Sequence, residues 1–143
     1  MKIGNEKGFS LIELLLVVVI IGIVAALAVP AFQRGITAAE NRSAFATLKV
    51  MNSTEAMFFS QNQRFARLDE LNRLHSNSLG TMVGSQMVRN KFTFVMAPSL
   101  VPTDVELRTE YTIAAYRDAG GVTYRYEVTS TGLVRIFPGP EPD

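Results

Sequence analysis

The sequence predicts an α+β protein in which the distal half of a long N-terminal helix packs on an antiparallel sheet of about four strands. Three observations predict this fold. From Leu14 to Phe32, 17 of 19 residues are apolar and none is charged. Apolar residues then recur mostly at steps of three and four as far as Phe58, which is typical of one face of a helix. From Phe92 onward, apolar and other residues alternate with a period of two, as they do in strands.

Composition limits the possible functions. The 143 residues can form one modest core. The net charge of +1 argues against a basic nucleic-acid-binding protein or an acidic disordered one. The absence of cysteine and the presence of a single histidine exclude a disulfide framework, a thiolate zinc site and a pair of catalytic histidines. No nucleophile–base constellation is visible, and we expect no enzymatic activity, no cofactor, no metal and no small-molecule substrate.

The apolar run is long enough to cross a membrane. A bilayer core ~30 Å thick requires about 20 helical residues. Lys2 and Lys7 precede the run, which predicts a cytoplasmic N-terminus. The alternative is an ordinary secretory signal peptide that is cut after Ala28. The run is longer than the usual apolar region of about 7–15 residues in such a peptide. In addition, Glu13 lies at its start, where a charge at membrane depth costs about 2.5–3.5 kcal/mol and normally has a partner.

The helical pattern continues from the apolar run to about Ser60. Pro30 should kink or loosen this helix because it removes a backbone hydrogen bond, and Gly22 is a second weak point. An apolar stripe is predicted to cover one face of the sheet; it consists of Phe45, Leu48, Met51 and Phe58, widened by Val50 and Met57. The charged residues of this segment fall mainly between the apolar positions: Arg34, Glu40, Arg42, Lys49 and Glu55.

The rest of the chain is predicted to be mostly strands. Residues 64–91 are poorly patterned, with a short helix suggested by Leu68, Leu71 and Leu74 and a loop-like stretch from Ser76 to Ser85. Strands are then predicted around residues 92–96, 111–115, 122–128 and 133–137. Residues 118–121 form a hairpin loop between the second and third of these strands, and Pro138-Gly139-Pro140 ends the last one.

The segment from Lys7 to Val19, with the sequence KGFSLIELLLVVV, resembles the class III signal of type IV pilins and the related pseudopilins. The resemblance continues through the apolar run to Phe32. Ser10 stands where this family more often has threonine. The remainder of the chain is similar to the family only in architecture, namely a long helix, a variable loop and an antiparallel sheet.

The resemblance implies a role for each residue of the motif. A prepilin peptidase would cut between Gly8 and Phe9 and methylate the new α-amino group of Phe9. The Glu13 carboxylate would pair with the Phe9 ammonium of a neighbouring subunit during assembly. Gly22 and Pro30 would bound the stretch that unwinds when subunits pack into a filament.

The resemblance also implies an organisation and a location. Residues 1–8 would be a leader, 9–32 a transmembrane and assembly helix, and 33–143 an exported head that includes the distal half of the helix. The protein would be a structural type IV pilus subunit, held in the inner membrane and then polymerised into an extracellular filament. Its partners would be other copies of the chain, the lipid bilayer, the prepilin peptidase and N-methyltransferase, an inner-membrane platform and an assembly ATPase.

Three alternatives remain open at the level of sequence. The chain could be a pseudopilin of a type II secretion system, acting in a periplasmic pseudopilus, or a minor pilin. From another class, it could be a secreted binding domain behind an ordinary signal peptide.

Two weaker signals concern possible ligands. Asp104, Glu106, Glu110 and Asp118 could supply calcium ligands, but their spacing matches no calcium loop, and we expect a solvated surface. His75 follows a leucine-rich turn, and we expect it at a surface or helix end.

Overall fold

The computed structural model describes residues 8–97, 99–119, 122–132 and 134–137. The chain divides into two units, Met1–Thr37 and Ala38–Asp143. In the described residues the regular elements are two α-helices, a 3₁₀ turn at Glu106–Arg108 and six strands. The predicted hairpin loop at residues 118–121 was wrong at Asp118 and Ala119, which belong to a strand. Its other two residues, Gly120 and Gly121, lie outside the described residues, as do Leu133 and the predicted stop at Pro138–Pro140.

The first helix, α1, spans Leu11–Asn62. It ends at the predicted place, because Gln63 has a φ of 56° and leaves the helical conformation. The helix is continuous through Gly22 and Pro30, so the missing hydrogen bond at Pro30 does not terminate it. The short helix predicted around Leu71 is confirmed as α2, Leu68–Leu74.

The six strands form one antiparallel sheet in which each strand pairs with the next in the chain. This confirms the predicted α+β class. In chain order the strands are β1 Thr81–Val83, β2 Gln86–Arg89, β3 Phe92–Ala97, β4 Thr112–Ala119, β5 Val122–Thr129 and β6 Val134–Phe137. The prediction of about four strands missed β1 and β2, and the loop-like interpretation of residues 76–85 was wrong at β1.

Two tight turns explain the additional strands. Gly84, at φ 62°, lies in the two-residue connection between β1 and β2. Asn90 and Lys91, at φ 48° and 66°, connect β2 to β3. Positive φ at such positions matches the right-handed twist of paired strands. Strands of three and four residues are too short to show a clear alternation in the sequence.

The core of the second unit lies between one face of the sheet, the distal half of α1 and α2. Strand β3 alternates between buried and half-buried residues as predicted. The largest fully buried apolar side chains are Leu48, Met51, Leu71, Met87, Phe92, Phe94, Leu107, Ile113 and Val128, together with the almost fully buried ring of Tyr111. The Tyr111 hydroxyl donates to Asn52 Oδ1 at 2.6 Å, which ties the start of β4 to α1.

The predicted covering face of α1 is partly confirmed. Leu48 and Met51 are fully buried, and Phe58 is half-buried against the core. Val50 and Met57 do not widen this face, because 40% and 54% of their surfaces are exposed. They lie on the opposite side of the helix, since positions 50 and 57 are offset by two residues from 48 and 55.

Glu55 is fully buried. Its Oε2 accepts the Ala66 N–H at 2.6 Å, and Oε1 has no hydrogen-bond partner in the described part of the chain. Burial and, to a smaller extent, the nearby Glu70 raise the pKa of the Glu55 carboxyl, while the Ala66 N–H and Arg64 lower it, and the net result is a pKa of about 8. The sequence pattern did not reveal this carboxyl as part of the core.

A second polar contact fixes α1 on the sheet. The Arg117 guanidinium of β4 is buried and forms an ion pair with Glu40 of α1, which also binds Lys91 at 2.9 Å. Arg117 lies between the rings of Phe92 and Tyr124, at 5.1 and 4.8 Å from their centroids. The aromatic faces therefore stabilise a cation that is otherwise removed from water.

The pKa of Glu55 predicts a pH-dependent stability. Between its ordinary value of 4.5 and its folded value of about 8, the folded head keeps the proton that the unfolded chain has released. The free energy of unfolding should therefore fall as pH rises through this window, by up to about 1.4 kcal/mol per pH unit. Glu55→Gln should remove most of this slope in urea unfolding of the full chain in detergent between pH 5 and 8.

The matched control for this experiment is Glu110→Gln, since Glu110 is exposed. The control should keep the wild-type slope. A Glu55→Gln variant that keeps that slope as well would contradict a protonated Glu55.

Two methionines on α1 test which face of the helix covers the sheet. Met51 is fully buried and Met57 is 54% exposed. Met51→Ala should reduce the free energy of unfolding by about 2–5 kcal/mol, because it leaves a cavity in the core. Met57→Ala should change it by no more than about 0.5 kcal/mol. Equal losses in urea unfolding would show that the covering face is assigned wrongly.

Candidate assembly and processing site

Gly8 and Phe9 lie immediately before α1 in non-helical, exposed backbone. The Phe9 side chain is 75% exposed. A Cβ atom added at Gly8 would meet no heavy atom within 4 Å. The Gly8–Phe9 peptide bond is therefore accessible, and the fold itself does not require glycine at position 8.

Glu13 lies in the first turn of α1. The Ser10 carbonyl accepts the N–H groups of Glu13 and Leu14 at 3.1 and 3.2 Å, so the helix begins directly after Ser10. A carboxylate in the first turn is stabilised by the positive end of the helix dipole, typically by about 0.3–1 kcal/mol. In the described residues the Glu13 carboxylate makes no ion pair.

The apolar first half of α1 is almost entirely unpacked within its own chain. Its most apolar 18-residue window has a mean hydropathy of 3.1 and none of it is buried, so α1 is long and apolar enough to cross a membrane. Exposed large side chains extend along it without a charged residue: Leu14, Leu15, Leu16, Val17, Val18, Val19, Ile20, Ile21, Ile23, Val24, Leu27, Val29 and Phe32. This surface needs lipid or other apolar helices around it.

The predicted site residues all lie on the first unit. Phe9 and Glu13 are four residues apart, with Phe9 before the helix and Glu13 in its first turn, whereas Gly22 and Pro30 lie further along the apolar surface. An added Cβ at Gly22 would meet nothing within 4 Å. The described part of the chain places no cation beside the Glu13 carboxylate.

The weaker ligand signals have structural explanations. Asp104 pairs with Arg67 at 2.5 Å, and Glu106 accepts the Thr103 N–H at 2.7 Å. The part of the chain that the structure describes contains no group of three or more histidine or acidic side chains placed to hold a metal. His75 caps the C-terminus of α2, and its Nε2 lies 2.7 Å from Thr54 Oγ1. It is a half-buried helix-end residue, as predicted.

Comparison with known proteins locates similarity in the N-terminal region. Residues 3–29 match the family model of the prokaryotic N-terminal methylation motif. The chain is 40% identical over 62 residues to the type IV major pilin protein PilA of Myxococcus xanthus (strain DK1622), covering 43% of this chain and 28% of that protein. It is 55% identical over 40 residues to a fimbrial protein of Moraxella nonliquefaciens, covering 28% of this chain and 26% of that protein.

The matches therefore span little more than a quarter of each curated relative. No solved structure matches the chain significantly. The segment matched by the family model contains Gly8, Phe9, the first-turn Glu13 and most of the uncharged apolar run, and the second half of α1 packs on an antiparallel sheet. The chain thus carries the prokaryotic N-terminal methylation motif in residues 3–29 and is similar over part of its length to a type IV major pilin and to a fimbrial protein.

Proposed function

We propose that this protein is a structural subunit of a type IV pilus and not an enzyme. The observation that carries the proposal is the sequence Gly8-Phe9 followed by Glu13 at the start of an exposed, uncharged apolar helix. The names of the two relatives, a major pilin and a fimbrial protein, favour a pilus over the pseudopilus of a type II secretion system.

The first step would be processing at the accessible Gly8–Phe9 bond. A prepilin peptidase hydrolyses this bond, and an N-methyltransferase transfers a methyl group to the α-amino nitrogen of Phe9. The chain supplies no catalytic group to either reaction, and its contribution is an exposed, non-helical substrate segment. Processing removes residues 1–8 and leaves a cation directly before α1.

The new cation would then pair with the Glu13 carboxylate of a neighbouring subunit. A charge that enters an apolar environment alone is strongly destabilised, whereas a paired charge is not. The pair acts chiefly as a register device, because a subunit that is added out of register would leave both charges unpaired.

The apolar helix would serve in two environments. It holds the subunit in the inner membrane with the head exported, and it packs among identical helices in the extracellular filament. Pro30 lacks a backbone N–H, and Gly22 loses more conformational freedom in a helix than other residues do, so the stretch between them can unwind during packing. An inner-membrane platform and an assembly ATPase supply the energy for extraction.

Mass spectrometry of the mature N-terminus tests the processing step. We expect the protein to begin at N-methylated Phe9. Gly8→Ala should reduce processing at least about tenfold. An added Cβ at this position meets nothing within 4 Å, so we expect the loss to arise from poorer recognition by the peptidase and not from a disturbed fold. Gly35→Ala is the matched control, because its Cβ would also meet nothing within 4 Å. A mature chain that begins at Val29 would instead indicate an ordinary signal peptide.

A neutral substitution at Glu13 tests the register role. Glu13→Gln should leave processing at Phe9 intact and reduce sheared surface filament by about tenfold or more, because the neighbouring ammonium loses its counterion. Asp118→Asn removes the same charge from an exposed position in the head and should leave filament yield unchanged. Normal filament yield from Glu13→Gln would refute the role of this carboxylate.

A further inference from the structure

A continuous exposed surface runs along α1 on the side opposite the sheet. We call it the outer α1 face, and it consists of Arg42, Ala46, Lys49, Val50, Ser53 and Met57. All of these residues are exposed. Their spacing of three and four places them on one side of the helix, and the two charged members are both basic.

The outer α1 face exposes apolar side chains on the side of the helix that points away from the core. Val50 and Met57 expose 40% and 54% of their surfaces on it, and small residues lie between them. The Lys49 ammonium lies 4.8 Å from the centroid of the Phe45 ring, so a positive charge is held at the edge of the face. The outer α1 face is therefore apolar, narrow and bordered by positive charge.

A second exposed surface on the same unit has the opposite charge. We call it the acidic loop, residues 100–110. Leu100, Val101 and Val105 are 49%, 63% and 73% exposed on it. The acids Asp104, Glu106 and Glu110 and the single base Arg108 are also exposed. The Asp104 carboxylate is paired with Arg67 of the same chain at 2.5 Å. The remaining charges, Glu106 and Glu110 against Arg108, still leave the loop with a net negative charge beside its protruding apolar side chains.

The acidic loop is held rigidly. The Leu107 side chain is buried, and the Leu107 carbonyl accepts the Phe65 N–H at 2.8 Å. Arg67 donates from Nε to the Pro102 carbonyl at 2.9 Å. Thr103 and Glu106 satisfy each other's backbone N–H groups at 2.7 and 3.3 Å. Because the loop is ordered before any contact forms, little conformational entropy would be lost when its apolar side chains are covered.

We propose that the acidic loop of one subunit docks on the outer α1 face of the next copy of this chain. The occupant is a second copy, because the two surfaces are complementary both in charge and in exposed apolar area, and each subunit carries both. Such a contact joins different surfaces on the two copies, and repeated contacts of this kind generate an open filament when they do not close into a ring. The proposal rests on the proposed filament and adds a contact between heads to the packing of the apolar helices.

The absence of native cysteine permits a direct test in cells that express the full chain. Val50→Cys and Val105→Cys are introduced singly and together, and a short thiol-to-thiol crosslinker is added. The double variant should give a ladder of covalent multimers, and co-expression of the two single variants should give dimers. Each single variant alone should give at least about tenfold less crosslinked product.

The control pairs Val50→Cys with Thr123→Cys, an exposed position on strand β5, and should give no ladder. In the Val50→Cys, Val105→Cys background, Lys49→Glu should reduce the ladder by about fivefold or more, because like charges then face each other. Arg73→Glu makes the same charge change on the exposed side of α2 and should not reduce it.

Each result decides the proposal. A dimer from Val50→Cys alone would indicate that two outer α1 faces meet, and an equal ladder from the Thr123 control would indicate random contact; either would overturn it. No ladder from a variant that forms filaments would also overturn it. Electron microscopy and the mass of the N-terminus on the same cells report separately on the proposed function. If filaments are absent, the ladder is read from the membrane fraction, where its presence supports the head contact and its absence refutes it.

Discussion

One helix has to meet the demands of two different environments, and the rest of the structure depends on this constraint. In its first half α1 shows an uncharged apolar surface that is not packed within the chain. In its second half the same helix buries Leu48 and Met51 under a sheet. A helix can do both because nearly all of its backbone groups are satisfied internally, whatever surrounds the side chains, and the hydrogen bond missing at Pro30 is an exception. Charge is absent between Leu14 and Phe32 and is placed selectively in the second half.

The polar groups in the second half fix how the helix is seated. Glu40 pairs with the buried Arg117 of β4, and Asn52 receives the Tyr111 hydroxyl. Glu55 accepts the backbone N–H of Ala66, eleven residues along the chain, and so holds the segment between α1 and α2 against the helix. Apolar contacts alone would tolerate small shifts of α1 along the sheet, because they are not directional. Each of these polar contacts forms only when its two groups are in the right relative position.

A charged carboxylate among apolar groups costs free energy, and Glu13 and Glu55 differ in how this cost is avoided. Glu55 lies in a finished core, and burial raises its pKa so that the neutral form is favoured near neutral pH. Glu13 lies at the exposed start of α1 without a cation in the described part of its own chain. In the proposed filament its partner comes from another subunit, so its charge is useful only when assembly is correct.

Sequence by itself determined the processing motif, the apolar helix, the end of α1, the short helix α2 and the alternating strands from Phe92 onward. These features depend on local order: residue type, spacing along one helix and a period of two. Tertiary structure alone decided the burial of Glu55, the exposure of Val50 and Met57, and the pairing of β1 with β2.

Glu55 is seven and four residues from Leu48 and Met51, a spacing compatible with the covered face, but its charge grouped it with the residues between the apolar positions. What the spacing could not show is that this covered face continues as far as position 55, because that depends on where the sheet and Ala66 lie. The same reason applies to the acidic loop. Its sequence shows apolar and acidic residues together, but only the packing of Leu107 and the bonds from Arg67 decide which of them face solvent.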